Sequence, residues 1–263
     1  MDRTIGHIQE RVVGMAPRQI VVSGGGTGIG LAVAESFAAD GDKVIILGRR
    51  EEVLRAAAEK LNAAHGEATV TWCAADLSEP EQVRGAARFI TDRTDTVDVL
   101  VTNAGGNVAS SHDGSLESIA DGYRRNFAAN VLTSVLLTEA LLPRVRRPGG
   151  RIIHLSSIAA LRGPGSYGGA KAAVNTYTFE LAQRLGAEGI TVNAVAPGFV
   201  ADTEFFGDRA TEEFVASRVK QSLTGQAGRP AEIAAMVRYV ASPEATYLTA
   251  QILHINGGAA LGR

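Results

Sequence analysis

Short apolar runs alternate with longer amphipathic segments along most of the chain. Runs such as Val44 to Leu47 and Val97 to Val101 are almost entirely apolar, which is typical of parallel strands that helices cover on both faces. The longer segments repeat apolar positions every three or four residues, as helices do. Strands are predicted over 19–23, 43–48, 68–73, 97–102, 150–156, 190–195 and 251–255, and helices over 29–39, 51–64, 79–92, 118–145, 166–187 and 230–241.

This alternation predicts a fold of the α/β class, with a single Rossmann-type doubly wound parallel sheet of about seven strands and helices on both faces. No internal repeat or linker interrupts it, so 18–263 is predicted to be one domain behind an N-terminal extension over 1–17. The long stretch over 198–228 has no clear pattern, and long loops in compact domains often act as functional lids.

A glycine-rich loop joins the first predicted strand to the first predicted helix. Gly24, Gly28 and Gly30 are spaced G-x-x-x-G-x-G. Such glycines allow a tight turn, let a pyrophosphate approach the backbone and present a helix N-terminus to an anion. The strand before the loop and the helix after it favour a phosphate-binding loop over a flexible linker. The chain lacks G-x-x-x-x-G-K-[ST], so a P-loop nucleotidase is not supported.

Tyr167 and Lys171 are four residues apart on a predicted helix and therefore lie on the same face. An ammonium beside a phenol favours the phenolate, so Lys171 is predicted to lower the pKa of Tyr167 toward working pH and make it a usable acid or base. Two surface side chains would give the same spacing. The catalytic interpretation is favoured because Ser156 and Ser157 end a predicted strand just upstream.

These motifs, taken in order, resemble the short-chain dehydrogenase/reductase family over about 18–258. The resemblance rests on a cofactor loop from Ser23 to Gly30, the pair Asp76–Leu77, a strand-end motif from Thr102 to Gly105, Asn130, Ser157, Tyr167, Lys171, and the pair Pro197–Gly198. Serine replaces the usual threonine at 23, and threonine the usual asparagine at 102. The segment from Ser157 to Tyr167 is three residues shorter than in many relatives.

The resemblance implies a dinucleotide-binding catalytic domain with a proton relay. It gives Tyr167 the role of proton donor, Ser157 a hydrogen bond to the substrate oxygen, Lys171 a bond to the nicotinamide ribose, and Asn130 a water behind the lysine, with Ser156 as the alternative serine. It implies cofactor contacts at Ser23, Gly24, Thr27, Gly28, Ile29, Gly30, Arg49, Asp76, Leu77, Asn103, Ala104, Gly105, Tyr167, Lys171, Pro197, Gly198, Val200 and Thr203. One extra residue precedes Thr203 compared with the shortest family form. His154 is predicted to be a structural strand residue, and no histidine spacing suggests a metal.

The end of the second predicted strand bears on the choice of cofactor. Gly48 stands where an acidic residue would select NAD, and Arg49 follows it. A 2′-phosphate needs a cation and room, so NADP(H) is predicted as the preferred cofactor, with NAD(H) possible. Alternatively, Arg49 and Arg50 are solvated charges that open a helix.

Composition narrows the remaining possibilities. The net charge of -2 gives no reason to expect nucleic acid or an anionic membrane as partner. A single cysteine, no long apolar run and no signal-peptide pattern lead us to expect a cytoplasmic location.

The predicted helices over 118–145 and 166–187 carry more apolar residues than one contact with the sheet needs. This excess predicts a homotetramer, with a dimer as fallback.

Three functions are compatible with this sequence. The first is NADP(H)-dependent reduction of a ketone or 3-oxoacyl substrate, as in 3-oxoacyl-carrier-protein reductases. The second is an NAD-dependent alcohol or sugar-alcohol dehydrogenase, and the third is a non-catalytic nucleotide-sensing module. Phe205 and Phe206 are adjacent in the patternless region, so at least one is predicted to line an apolar pocket beneath a mobile lid. For Phe214 and Val215, an amphipathic surface helix is the alternative.

Overall fold

The computed structural model describes residues 16–109, 112–163, 165–207 and 210–261. Within them the strands are β1 Gln19–Ser23, β2 Lys43–Gly48, β3 Val70–Ala74, β4 Val99–Thr102, β5 Arg151–Leu155, β6 Thr191–Pro197 and β7 Ile252–Ile255. They form one parallel sheet in the order β3-β2-β1-β4-β5-β6-β7. The predicted seven-stranded sheet is confirmed. Most of the predicted N-terminal extension lies outside the described residues.

The strand order changes direction beside β1, and this position determines where a ligand can bind. From β1 the chain builds outward through β2 to β3, then returns to pair β4 with the other side of β1. The loops after β1 and β4 therefore leave the sheet toward opposite faces. In doubly wound sheets a crevice opens at this point, along the carboxyl ends of the strands.

Helices cover both faces of the sheet. They are α1 Gly28–Ala39, α2 Glu51–His65, α3 Pro80–Thr91, α4 Leu116–Phe127, α5 Thr133–Leu141, α6 Ala159–Arg162, α7 Gly165–Leu185, α8 Glu212–Val219 and α9 Pro230–Val240. Phe37 of α1 and Val237 of α9 lie in the core on one face, and Leu137 of α5 and Leu181 of α7 lie in the core on the other. The inner strands are mostly apolar because both of their faces are buried. None of the described helices is long and apolar enough to cross a membrane.

The single helix predicted over 118–145 is wrong. A π-helical turn, Ala128–Leu132, separates α4 from α5. The side-chain amide of Asn130 in this turn donates to the carbonyl of Asn126, 2.9 Å away, and also bonds the backbone of Gly106. Such turns occur mostly where a side chain must be placed at a site. The region 198–228 is also more regular than predicted, because it contains α8, the helix that the apolar spacing of Phe214 and Val215 offered as the alternative.

Candidate active site

A cleft of about 1220 Å³ opens at the carboxyl ends of the strands. Most of the predicted site residues line it, although they come from segments that follow six different strands. Those that line it are Gly24, Thr27, Gly28, Ile29, Arg49, Asp76, Leu77, Asn103, Ala104, Gly105, Ser157, Tyr167, Lys171, Pro197, Gly198, Val200 and Thr203. Ser23, Gly30 and Asn130 do not line the cleft and lie behind its wall.

The glycine loop has no room for side chains at two of its positions. Gly24 has a φ of +65°, a conformation that residues with a Cβ rarely adopt. A Cβ on Gly30 would lie 2.1 Å from the carbonyl oxygen of Gly24, so the start of α1 packs directly on the loop. The first N–H groups of α1 consequently face the cleft at the end of β1, as a pyrophosphate site requires.

Ser23 supports this loop from behind, and the direct cofactor contact predicted for it stays a prediction. Its hydroxyl accepts hydrogen bonds from the backbone N–H groups of Asn103 and Ala104, at 3.0 and 2.9 Å. The amide of Asn103 in turn donates to the carbonyls of Ser23 and Gly24, at 3.0 and 3.1 Å. The ends of β1 and β4 are thereby joined, and this junction fixes the floor of the cleft.

Two charged groups lie at the end of the cleft beside β2 and β3. Asp76 accepts hydrogen bonds from the hydroxyl and N–H of Ser78, at 2.7 and 2.9 Å. These bonds, together with the charge of Arg49, lower the pKa of the Asp76 carboxyl. Arg49 is exposed at the rim, while the neighbouring Arg50 forms an ion pair of 2.6 Å with Glu204. In the described chain Arg49 has no carboxylate within ion-pair distance, so its charge is available to a ligand.

Tyr167 is almost completely buried, and burial decides its protonation. Desolvation raises the pKa of Tyr167 to about 12, and a hydrogen bond with Ser157 offsets only part of that rise. The prediction that Lys171 lowers this pKa is therefore wrong for this structure. The phenol keeps its proton at neutral pH, and the Ser157 hydroxyl is the group that it contacts.

Lys171 lies one turn beyond Tyr167 on α7, as the spacing predicted. Its Nζ is 5.9 Å from the centroid of the Tyr167 ring and donates to the Leu155 carbonyl at 2.8 Å. Burial lowers the pKa of Lys171 to about 8. The ammonium is held by the end of β5, and burial of the phenol, not the charge of Lys171, sets the pKa of Tyr167.

The neighbouring polar residues of β5 have structural partners. The hydroxyl of Ser156, the alternative catalytic serine, is 3.4 Å from the Lys171 carbonyl and donates to it. His154 is fully buried, with its Nδ1 3.3 Å from the Thr102 hydroxyl and its ring edge against Tyr177. Burial and the charge of Lys171 lower the pKa of His154 to about 3, so it stays neutral. The structural role predicted for His154 agrees with this position.

Asn130 lies behind the catalytic wall and holds the loop after β4. Its side-chain oxygen accepts from the Gly106 N–H at 3.0 Å, and its amide nitrogen donates to the Gly106 carbonyl at 2.8 Å. One turn earlier, the fully buried Asn126 accepts from the Val108 N–H at 3.1 Å and donates to the Ser166 hydroxyl at 2.9 Å. The sequence analysis missed Asn126. Its signal was an Asn-x-x-x-Asn spacing, which places both amides on one helix face.

The segment after β6 closes the cleft opposite the glycine loop. Val200 forms an isolated bridge with Gly228, which anchors the segment to the core. A Cβ on Gly28 would lie 3.3 Å from the Cγ2 of Thr203, so Thr203 packs against the glycine loop itself. Thr203 and Val200 thus lie across from the loop, as the predicted cofactor contacts require.

The comparisons with known proteins agree with this geometry. A family model described as enoyl-(acyl carrier protein) reductase matches residues 24–260. The chain is 36% identical over 252 residues to the short-chain reductase protein NovJ of Streptomyces niveus, covering 90% of this chain and 92% of that one. The chain belongs to the short-chain dehydrogenase/reductase family. It is an oxidoreductase that acts on CH–OH or C=O groups.

Further relatives of this short-chain dehydrogenase/reductase include a reductase and a dehydrogenase. The 3-oxoacyl-[acyl-carrier-protein] reductase FabG of Vibrio cholerae is 34% identical over 243 residues, covering 90% of this chain and 95% of FabG. A solved structure of a short chain dehydrogenase from Burkholderia cenocepacia, in complex with NADP, superposes with a TM-score of 0.82 at 31% identity and covers 92% of this chain and 97% of that one.

Aromatic rings form one wall of this short-chain dehydrogenase/reductase beyond Tyr167. The Phe205 ring lies 5.6 Å from the Tyr167 ring and 4.8 Å from the Phe206 ring. Phe206 also contacts Phe199 and Phe214, both at 5.1 Å. The predicted pocket residues Phe205 and Phe206 both line the cleft, which gives the space next to the phenol an apolar side.

Proposed function

We propose that this enzyme reduces the carbonyl group of an apolar ketone or 3-oxoacyl substrate, with NADPH as the preferred cofactor. The observation that carries this proposal is the Ser157–Tyr167 hydroxyl pair, which meets beside the glycine loop with the phenol held protonated. A carbonyl oxygen that gains charge needs donors aimed at it. Two adjacent hydroxyls, one of them with a raised pKa, supply such donors and a transferable proton.

The cleft fits a nicotinamide dinucleotide along its length. The backbone at Gly24 to Gly30 would hold the pyrophosphate, Asp76 and Leu77 the adenosine half, and Val200 the carboxamide. The cofactor, when bound, supplies the hydride. Ser157 donates to the substrate oxygen, Tyr167 transfers its proton to that oxygen, and the ammonium of Lys171 bonds the nicotinamide ribose.

A carbonyl substrate is a better fit than a carbon–carbon double bond, although the matching family model is described as an enoyl reductase. The hydroxyls of Ser157 and Tyr167 lie within hydrogen-bond reach of each other in the cleft, so one carbonyl oxygen placed beside them could accept from both. The name of FabG, a 3-oxoacyl reductase, supports the same choice. The Phe205 and Phe206 wall supports an apolar chain on the substrate. A non-catalytic sensing role is not retained, because the chain belongs to a family of oxidoreductases.

The alternative is an NAD-dependent alcohol or sugar-alcohol dehydrogenase. Arg49 at the rim and an apolar wall beside Tyr167 favour the reductase over it, since neither suits a bare ribose or a polyol. That part of the stretch over 198–228 moves as a lid stays a prediction. We keep the prediction of a cytoplasmic location, with which the single cysteine agrees.

A kinetic assay tests the proposal. Medium-chain ketones and 3-oxoacyl thioesters are expected to be reduced with NADPH faster than with NADH, followed at the nicotinamide absorbance. Because Lys171 has a pKa of about 8 and Tyr167 one of about 12, kcat/KM should be constant near neutral pH and fall above pH about 8 as the ammonium loses its proton. Oxidation of polyols with NAD, without ketone reduction, would contradict the proposal. A pH profile that stays level to pH about 10 would contradict the role of Lys171.

Assembly into a homotetramer, with a dimer as fallback, is part of the proposal. Phe127, Leu132 and Phe179 on α4, the π turn and α7 are large apolar side chains that remain 38–42% exposed. Neighbouring exposed apolar groups usually mark interfaces, and closed symmetric assemblies are the usual outcome. Multi-angle light scattering is expected to report four chains per particle. A monomer at micromolar concentration would refute the assignment.

A further inference from the structure

Two arginines line the cleft on the side away from Arg49. Arg162 ends α6, which follows β5, and Arg218 lies in α8, which follows β6. Arg49 follows β2, and three strands of the sheet separate β2 from β6. A single 2′-phosphate beside Arg49 therefore does not reach Arg162 or Arg218.

A continuous row of aromatic rings connects Tyr167 with Arg218. It runs from Tyr167 through Phe205 and Phe206 to Phe214, with neighbouring centroids 4.8 to 5.6 Å apart. The guanidinium carbon of Arg218 lies 4.9 Å from the centroid of the Phe214 ring. A molecule that follows this wall from the phenol meets apolar surface first and a fixed positive charge at its end.

These guanidinium groups are available to a ligand. Arg218 has no carboxylate within ion-pair distance in the described chain, and Arg162 donates to the neutral amide of Gln221 at 3.1 Å. Arg125, which also lines the cleft, is neutralised by Asp121 at 2.8 Å.

Two of the acidic residues that line the same cleft have cationic partners. Glu204 pairs with Arg50 at 2.6 Å, and Glu232 lies 3.7 Å from Arg229. The unpaired charge on this side of the cleft is therefore positive, although the net charge of the chain is -2.

We propose that Arg162 and Arg218 bind a carboxylate or phosphate group at the far end of an apolar substrate whose carbonyl lies at Tyr167. Both acids present oxygens that a guanidinium fork bonds in the same way. The inference rests on the proposed function, since it assigns the reacting carbonyl to Tyr167. It narrows the substrate class to elongated oxo compounds with an anionic end.

The test compares three substrates of one chain length: an oxo acid, its methyl ester, and the corresponding oxoalkyl phosphate. The wild-type enzyme is expected to prefer one or both anions over the ester in kcat/KM. Arg162→Gln and Arg218→Gln should each lower that preference by about tenfold, mainly through KM, because a charge-assisted bond made equally to substrate and transition state is lost. The preferred anion distinguishes a carboxylate from a phosphate.

Lys220→Gln is the matched control, because it removes the same charge from an exposed residue next to α8 that does not line the cleft. It should keep the full preference. Equal rates for acid, phosphate and ester in the wild type, or an equal loss in Lys220→Gln, would overturn the inference. Since both arginines are exposed, the variants should retain the wild-type Tm.

A binding measurement separates this inference from the proposed function. Isothermal titration of a medium-chain alkanoate and alkyl phosphate against the alkanol of the same length needs no turnover. If no ketone is reduced but an anion binds more tightly than the alkanol, and Arg218→Gln removes that difference, the anion site stands and the proposed reaction fails. If the ester is reduced well but neither assay shows a charge preference, the reaction stands and the anion site fails.

Discussion

Replacement of Tyr167 by phenylalanine is expected to lower kcat for ketone reduction by about a hundredfold or more, the usual scale of acid–base catalysis. The hydroxyl is the only part removed. The ring that contacts Phe205 at 5.6 Å remains, so the shape of the cleft is preserved. Because burial keeps the phenol protonated, the variant loses the proton that must reach the substrate oxygen, and Ser157 alone stabilises the developing charge.

The measurement is kcat at saturating ketone and NADPH, with NADPH binding followed separately by its fluorescence. Binding should be unchanged in Tyr167→Phe, whereas Lys171→Ala should lower both turnover and cofactor affinity. Tyr177→Phe is the matched control, since Tyr177 lies on the same helix and its hydroxyl donates to Glu139 at 2.9 Å. It should retain normal turnover. Near-normal reduction by Tyr167→Phe would show that another group delivers the proton.

The sheet could be predicted from the sequence because its signal is local. Strands covered on both faces are apolar at most positions, so β1, β2 and β4 stand out as short runs. The break in the predicted helix 118–145 could not be found in this way. It depends on Asn130 bonding Gly106, a residue 24 positions earlier in the chain, and helical periodicity carries no information on such a contact.

The location of the candidate site was also predictable, because the carboxyl ends of parallel strands gather at one edge. Which residues line the candidate site was harder to predict. Ser23 and Asn130 carry the right chemistry, yet their polar atoms are used by backbone groups of the loops after β1 and β4. A sequence motif predicts the part of the fold in which a residue lies, whereas the direction of its side chain follows only from the packed structure.

The pKa of Tyr167 illustrates the same limit. Its spacing from Lys171 was read correctly, and the two lie on one face of α7. Two opposing effects act on such a pair, since a nearby cation lowers the phenol pKa and burial raises it. Here burial is nearly complete and Lys171 is bonded to the Leu155 carbonyl, so burial dominates. Sequence spacing cannot rank these effects, because neither the exposure nor the partner of the ammonium is visible in it.

The second large effect is expected in cofactor selectivity. Replacing Gly48 with aspartate and Arg49 with leucine should lower the ratio of kcat/KM for NADPH over NADH by about a hundredfold. The charge-assisted bond from Arg49 to a 2′-phosphate contributes roughly 1.5–3 kcal/mol to the binding of NADPH, which corresponds to about a tenfold to a hundredfold difference in affinity. Aspartate adds repulsion toward the phosphate and offers the ribose hydroxyls an acceptor. A Cβ at Gly48 would lie 3.5 Å from the Cδ2 of Leu54, an ordinary contact, so the site accepts the new side chain.

The measurement is parallel kinetics with both cofactors and one ketone in the wild type and the double variant. Arg55→Leu is the control, because Arg55 follows on α2, does not line the cleft and is already paired with Glu59 at 3.6 Å. It should keep the NADPH preference. The control matters because removing a positive charge anywhere near the cleft weakens the long-range electrostatic attraction of an anionic cofactor. That attraction also depends on the salt concentration. If the wild type prefers NADH, or if Arg55→Leu shifts the ratio as far as the double variant does, then a general field and not a bond from Arg49 governs cofactor choice.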